Sequence, residues 1–179
     1  MATSTPVFVP LEEYLRTTYR PDRDWIDGET KERNLGEKPH ARIQGFFIRF
    51  LGNREEEWNI LVYPEQRVQT SANRYRVADV CIARAGDPDP AIVRTPPLLC
   101  IEVLSKDDTL SETLDRVHDY TAMGVAQVWV VDPLRRRAYM AHERGFEQPA
   151  SGELTVPGTP ILVPIAAIFE DLDRSTRPA

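Results

Sequence analysis

Apolar residues recur at helical spacing in some stretches of this chain and run almost unbroken in others. Across residues 40–54, Ile43, Phe46, Phe47, Phe50 and Leu51 fall on one face, which predicts a helix packed on a core. Residues 109–123 repeat the pattern with Leu110, Leu114, Val117 and Tyr120, and Gly124 is placed to cap the end. A shorter helix is expected over residues 10–19, with Leu11, Tyr14 and Leu15 on one side. Residues 59–69, 75–83 and 98–105 are rich in Val, Ile, Leu and Tyr and read as strands. Residues 126–131 form a near-continuous apolar run suited to a strand buried on both faces, and Arg137–His142 should pair with it as a hairpin. Asp27-Gly28 signals a reversal after a short strand that begins at Asp24. The tail is expected to be extended over residues 154–163 and helical over 165–172. Prolines mark the joints, notably at Asp87-Pro88-Asp89-Pro90 and Pro96-Pro97.

Helix, strands, helix and strand in 179 residues, 41% of them hydrophobic, suggest one α+β domain spanning residues 1–179. No run approaches the ~20 apolar residues of a membrane helix, and the first twenty residues lack an apolar leader, so no membrane association and a cytoplasmic location are expected. Cys81 and Cys100 are too few for a disulfide scaffold or a thiolate zinc site. A net charge of -6 argues against coating nucleic acid by bulk electrostatics. Arg74 with Arg76, or Arg135 to Arg137, could form local basic patches, although such runs are more often solvated turns.

The chemistry lies inside two strands. Asp79 interrupts the apolar run Val77 to Ile82, and Glu102 interrupts Leu99 to Leu104. Burying an ionised carboxylate costs several kcal/mol unless a cation or a set of donors compensates. Two such acids in consecutive strands suggest a shared compensator: a hard divalent cation, magnesium first among them, or else buried arginines such as Arg76 and Arg116. If the strands are antiparallel neighbours and the acids are cross-strand partners, Cys81 faces Cys100 on the acids' own side, as two reduced thiols.

Together, Ala78-Asp79, Ile101-Glu102-Val103-Leu104-Ser105, Asp119-Tyr120, Gly124-Val125 and Trp129-Val130-Val131-Asp132-Pro133 resemble the Uma-two family of restriction endonuclease-like proteins, within the PD-(D/E)XK nuclease superfamily. The likeness extends through Trp25-Ile26-Asp27-Gly28-Glu29, His40 with Gln44, and residues 164–172, so it covers nearly the whole chain. It implies an α/β (α+β) restriction-endonuclease-like core, a mixed central sheet flanked by helices. It further implies that Asp79 and Glu102 bind Mg2+ or Mn2+, that the Val103 carbonyl faces the metal, and that Asp24 assists from the place of an upstream family glutamate.

The sequence departs from the family pattern at two places. Position 78 is alanine instead of proline, and Leu104 stands where the motif lysine is expected. Relatives commonly supply a lysine four residues before the tyrosine of the following helix, which here is Arg116. Arginine keeps its proton above pH 12, so it can steady a phosphoryl oxygen but is a poor general base. Lys106 is the second candidate, sharing a face with Glu102 if the strand continues that far. His40 and Gln44 are candidate substrate contacts, His40 being more often a cap or surface residue at such a position, while Tyr120 and Trp129 read as core fillers. The leading expectation is metal-dependent hydrolysis of DNA phosphodiester bonds, in a protein that could work as a homodimer. The alternatives are a weakened nuclease fold that binds nucleic acid or a partner protein, and a structural dimer whose acids pair internally. Replacing either acid by alanine is expected to abolish cleavage and to leave the thermal melt unchanged or raised, through relief of carboxylate repulsion.

Overall fold

A computed structural model describes residues 8–34, 37–88 and 91–174. Asp89 and Pro90 of the predicted proline joint lie outside them. The elements are α1 (Leu11–Arg16), β1 (Arg23–Ile26), β2 (Glu29–Glu32), α2 (Lys38–Gly52), α3 (Glu55–Trp58), β3 (Ile60–Ser71), β4 (Arg74–Arg84), β5 (Leu99–Val103), α4 (Leu110–Met123), β6 (Gln127–Asp132), β7 (Arg137–His142), β8 (Gly145–Glu147), β9 (Glu153–Thr155), β10 (Leu162–Pro164) and α5 (Ile165–Arg174). Eight strands form a central sheet in the order β2-β1-β4-β5-β6-β7-β8, with β3 paired along β4. The β5–β6 pair is parallel, and α4 makes the crossover between them. The mixed sheet flanked by helices is therefore the architecture expected.

Side-chain alternation sorts the strands into two buried layers. Val80, Ile82, Leu99, Ile101, Val103, Trp129 and Val131 face α2 and α5, where Ile43, Phe47, Leu51, Ile168 and Phe169 close the larger core. Cys81, Cys100, Val128 and Val130 face Val117 and Tyr120 of α4. Both sides of β4, β5 and β6 are thus covered, which explains why these strands read as continuous apolar runs.

Local chemistry sets the element ends. Asp27 and Gly28 both have positive φ and close the two-residue β1–β2 hairpin. Gly28, φ 96°, is favoured there by its backbone conformation, and the exposed ring of Phe8 packs where a Cβ would sit. Helix α4 opens with a reciprocal capping box: Glu112 N–H donates to Thr109 Oγ1 at 3.2 Å, and Thr109 N–H donates to Glu112 Oε2 at 3.1 Å. It ends at Gly124, φ 99°, as anticipated.

Three sequence expectations need correction. Leu110 is exposed, and α4 instead buries Thr113, Arg116, Val117 and Tyr120, because its inner side must meet a carboxylate as well as apolar groups. The extended tail is a separate β9–β10 hairpin. Strand β5 stops at Val103, two residues earlier than expected, as Ser105 N–H turns to Asp108 Oδ2 at 2.7 Å. Among the described residues no helix is long and apolar enough to cross a membrane.

Candidate active site

The long strand β4 has two edges with different neighbours. One edge pairs with β3 along its length. The other is shared: β1 pairs with Arg74 and Tyr75, and β5 pairs with Val80, Cys81 and Ile82. Residues 76–79 lie in the gap, where backbone groups lack a ladder partner on that side and need side chains instead. Val77 N–H donates to Asp24 Oδ1 at 2.9 Å, and the Val77 carbonyl accepts from Arg33 Nη1.

Both interrupting acids converge at this gap. The pairing Cys81↔Cys100 and Val80↔Ile101 continues one step to bring Asp79 opposite Glu102. Cys81 therefore faces Cys100 as expected, and both thiols are free and buried. Asp79 Oδ2 accepts from the Val103 N–H at 2.7 Å and lies 3.3 Å from His40 Nε2. Its main-chain carbonyl accepts from Gln44 Nε2 at 3.0 Å. Glu102 Oε1 accepts from the Tyr120 hydroxyl at 2.8 Å. Between the acids stands Arg33, with Nη2 2.6 Å from Asp79 Oδ1 and 3.4 Å from Glu102 Oε2.

Of the cations considered from sequence, Arg116 reaches the site and Lys106 does not. Arg116 Nε lies 3.3 Å from Glu102 Oε2, close enough for ion pairing but not aligned as a hydrogen bond. Its Nη2 donates to Asp108 Oδ1 at 2.9 Å, which fixes the guanidinium. Lys106 lies in the turn beyond β5, exposed and paired with Glu37 at 2.6 Å. Ending β5 at Val103 removes the continuation that would have aligned Lys106 with Glu102. Asp24 sits beside the gap with both oxygens engaged, by the Val77 amide and by Arg76 Nη1 at 2.8 Å.

The electrostatics of the two acids diverge. Burial raises the Asp79 carboxyl, but Arg33 and His40 outweigh it and hold Asp79 well below the usual carboxylate range. Glu102 moves upward, because burial and the Asp79 charge prevail over the attraction of Arg33 and Arg116. Burial lowers the His40 pKa, yet the hydrogen bond and charge of Asp79 raise it above the ordinary 6.5. A pKa raised on folding contributes stability that is complete below 6.5 and fades as pH rises through the folded value. His40→Gln, which keeps a neutral donor, should therefore melt below wild type at pH 5.5 to 6 and converge with it in alkaline buffer. A gap that stays constant from acid to alkaline pH would remove the charged His40–Asp79 pair.

The site fits a hard divalent cation by its donor chemistry. One guanidinium nitrogen lies within ion-pair distance of both carboxylates, so a single positive centre can serve the two acids. No group of three or more His, Cys, Asp or Glu side chains forms a metal cage among the described residues. Magnesium and manganese suit such a site, since magnesium keeps several waters and needs only one or two carboxylates.

Three of these participants escaped the sequence reading. Arg33 lies in a polar stretch without periodicity, Tyr120 fits the pattern of a core aromatic, and Asp108 belongs to no periodic run or motif. The sequence signals for Tyr120 were its place on the inner face of the helix that follows the Glu102 strand and the Asp119-Tyr120 pair of the family resemblance, neither of which pointed to a hydrogen bond with Glu102.

The sequence profile of Uma2, described as "Putative restriction endonuclease", matches residues 11–163. A crystal structure of a "putative nuclease belonging to DUF820" from Anabaena variabilis superposes with a TM-score of 0.79, covering 93% of this chain and 99% of that one. The two sequences are 17% identical, so this likeness speaks for the fold. No curated protein matches the chain.

Proposed function

The chain belongs to the Uma2 family of restriction endonuclease-like proteins, and from that premise we propose that it hydrolyses DNA phosphodiester bonds with magnesium or manganese held by Asp79 and Glu102. The observation that carries this reading is the convergence of two buried acids, from neighbouring strands, on one cation at a break in the sheet. A bound divalent ion would supply a water of lowered pKa and offset charge developing on the phosphoryl oxygens.

The chain's own groups prepare that chemistry. The Val103 amide and His40 fix the Asp79 carboxylate, and the Tyr120 hydroxyl fixes one oxygen of Glu102. His40, Gln44, Glu65 and Asp79 line a cleft of ≈ 270 Å³ in which a scissile phosphate could approach Asp79. Arg116, held by Asp108, adds fixed positive charge beside Glu102 and cannot remove a proton.

Nicking of a supercoiled plasmid tests the reading. Wild type should cleave with Mg2+ or Mn2+ and stop with a chelator. Arg116→Ala should lose roughly 100-fold, the usual cost of a group that stabilises transition-state charge, whereas Lys106→Ala should stay within about twofold because its ion pair is exposed. Chelator-resistant cleavage, or a silent Arg116→Ala, would overturn these assignments.

One observation favours a second reading, in which the acids serve structure. Asp79 and Glu102 already have arginine partners in Arg33 and Arg116. That reading requires that Mn2+ fail to raise the melting temperature of the wild type.

A further inference from the structure

Arg33 holds its position through three anchors on two strands. Its Nη1 donates to the Val77 carbonyl in the gap of β4, and its Nη2 meets Asp79 and Glu102. Its side chain is 14% exposed, although Glu32 and Asn34 on either side are exposed. The backbone that carries it lies beyond the end of β2, outside any sheet ladder. The guanidinium is thus tied to the acids through a long side chain with several rotatable bonds. Open space lies on both sides of it: Arg33 lines the ≈ 270 Å³ cleft with His40 and Gln44, and a ≈ 70 Å³ cleft with Asp108 and Arg116.

Arg33 is the cation that meets both carboxylates, whereas Arg116 reaches Glu102 alone and His40 reaches Asp79 alone. A divalent cation would bring twice the charge of Arg33 to the same oxygens, and the two cations cannot share the space between them. We propose that Arg33 is a built-in occupant of the cation position, and that divalent metal binds by displacing its guanidinium from Asp79 and Glu102. This inference rests on the metal reading given above. The apparent metal affinity is then lowered by the fraction of molecules in which Arg33 holds the acids.

Calorimetric titration with Mn2+, without nucleic acid, tests the displacement directly. Arg33→Met keeps much of the side-chain volume and removes the charge, and it should bind Mn2+ at least tenfold more tightly than wild type. Asp79→Asn in the Arg33→Met background should abolish the gain. Melting curves give a second readout: Arg33→Met should melt lower than wild type in chelator and gain more from Mn2+. If Arg33→Met does not fold, Arg33→Lys takes its place, since a single ammonium cannot span both acids and the Val77 carbonyl, and it should also bind Mn2+ more tightly than wild type. Measurable wild-type binding that neither variant strengthens would overturn displacement and leave the metal site standing. No Mn2+ binding in any of these proteins would overturn the metal site and the displacement together.

Discussion

Asp79→Asn should reduce DNA cleavage by about 1000-fold or more, because it removes one of the two acids proposed to hold the metal whose Lewis acidity and bound water carry the chemistry. The variant should also melt lower than wild type. Sequence alone led to the opposite expectation for the alanine variant, a melt unchanged or raised by relief of carboxylate repulsion. The structure reverses the sign, because Arg33 stands between the acids and His40 lies against Asp79. An amide at position 79 leaves those cations short of a buried counter-charge, at a cost of about 3 kcal/mol. Single-turnover plasmid nicking and a thermal melt in chelator measure the two effects separately. Retained cleavage would exclude Asp79 from the chemistry, and a higher melt would show that repulsion dominates after all.

The largest loss of stability is expected at Arg76, away from the proposed chemistry. Arg76 is buried, with Nη1 2.8 Å from Asp24 Oδ2 and Nη2 2.6 Å from Asp119 Oδ2. It thereby joins β1, β4 and α4, and it sets how α4 presents Tyr120 and Arg116 to Glu102. Arg76→Met fills similar volume but leaves two largely buried carboxylates without this partner. Breaking one side of a buried ion pair costs about 3–5 kcal/mol, which lowers the melting temperature by roughly 10 °C in a chain of this size. Arg74 still reaches Asp119 at 3.0 Å and moderates the loss on that side. Denaturant titration should resolve the change. A loss below about 1 kcal/mol would mean that the Arg76 bridge only offsets its own desolvation.

The contrast between Asp79 and Arg33 shows which parts of this site a sequence can disclose. Asp79 and Glu102 stood out because each breaks an apolar run, and a buried charge needs a reason. The register that joins them followed from strand geometry, and Cys81 does face Cys100. Arg33 left no such mark. It sits 46 residues from Asp79 and 69 from Glu102, and its burial depends on a gap in strand pairing that no local pattern encodes. Helix α4 was legible through Gly124 and its periodicity, yet Leu110 was placed inward because periodicity counts apolar residues and cannot foresee that the buried side receives Arg116. Elements as short as α3 and β8, with four and three residues, carry too few positions for any period to show.

The facing cysteines give the sheet a built-in clock. Both thiols are buried, and burial together with its cysteine neighbour pushes the Cys100 thiol far above its ordinary value. The thiolate attacks an alkylating reagent, and both sulfurs are buried, so neither can react until β4 and β5 part or α4 lifts from them. The rate at which a maleimide or an aromatic disulfide consumes these two thiols therefore measures how often the centre of the sheet opens. Each cysteine stands two residues from an acid of the site, on the same side of its strand. With no label introduced, that rate reports on the very backbone that aligns Asp79 with Glu102.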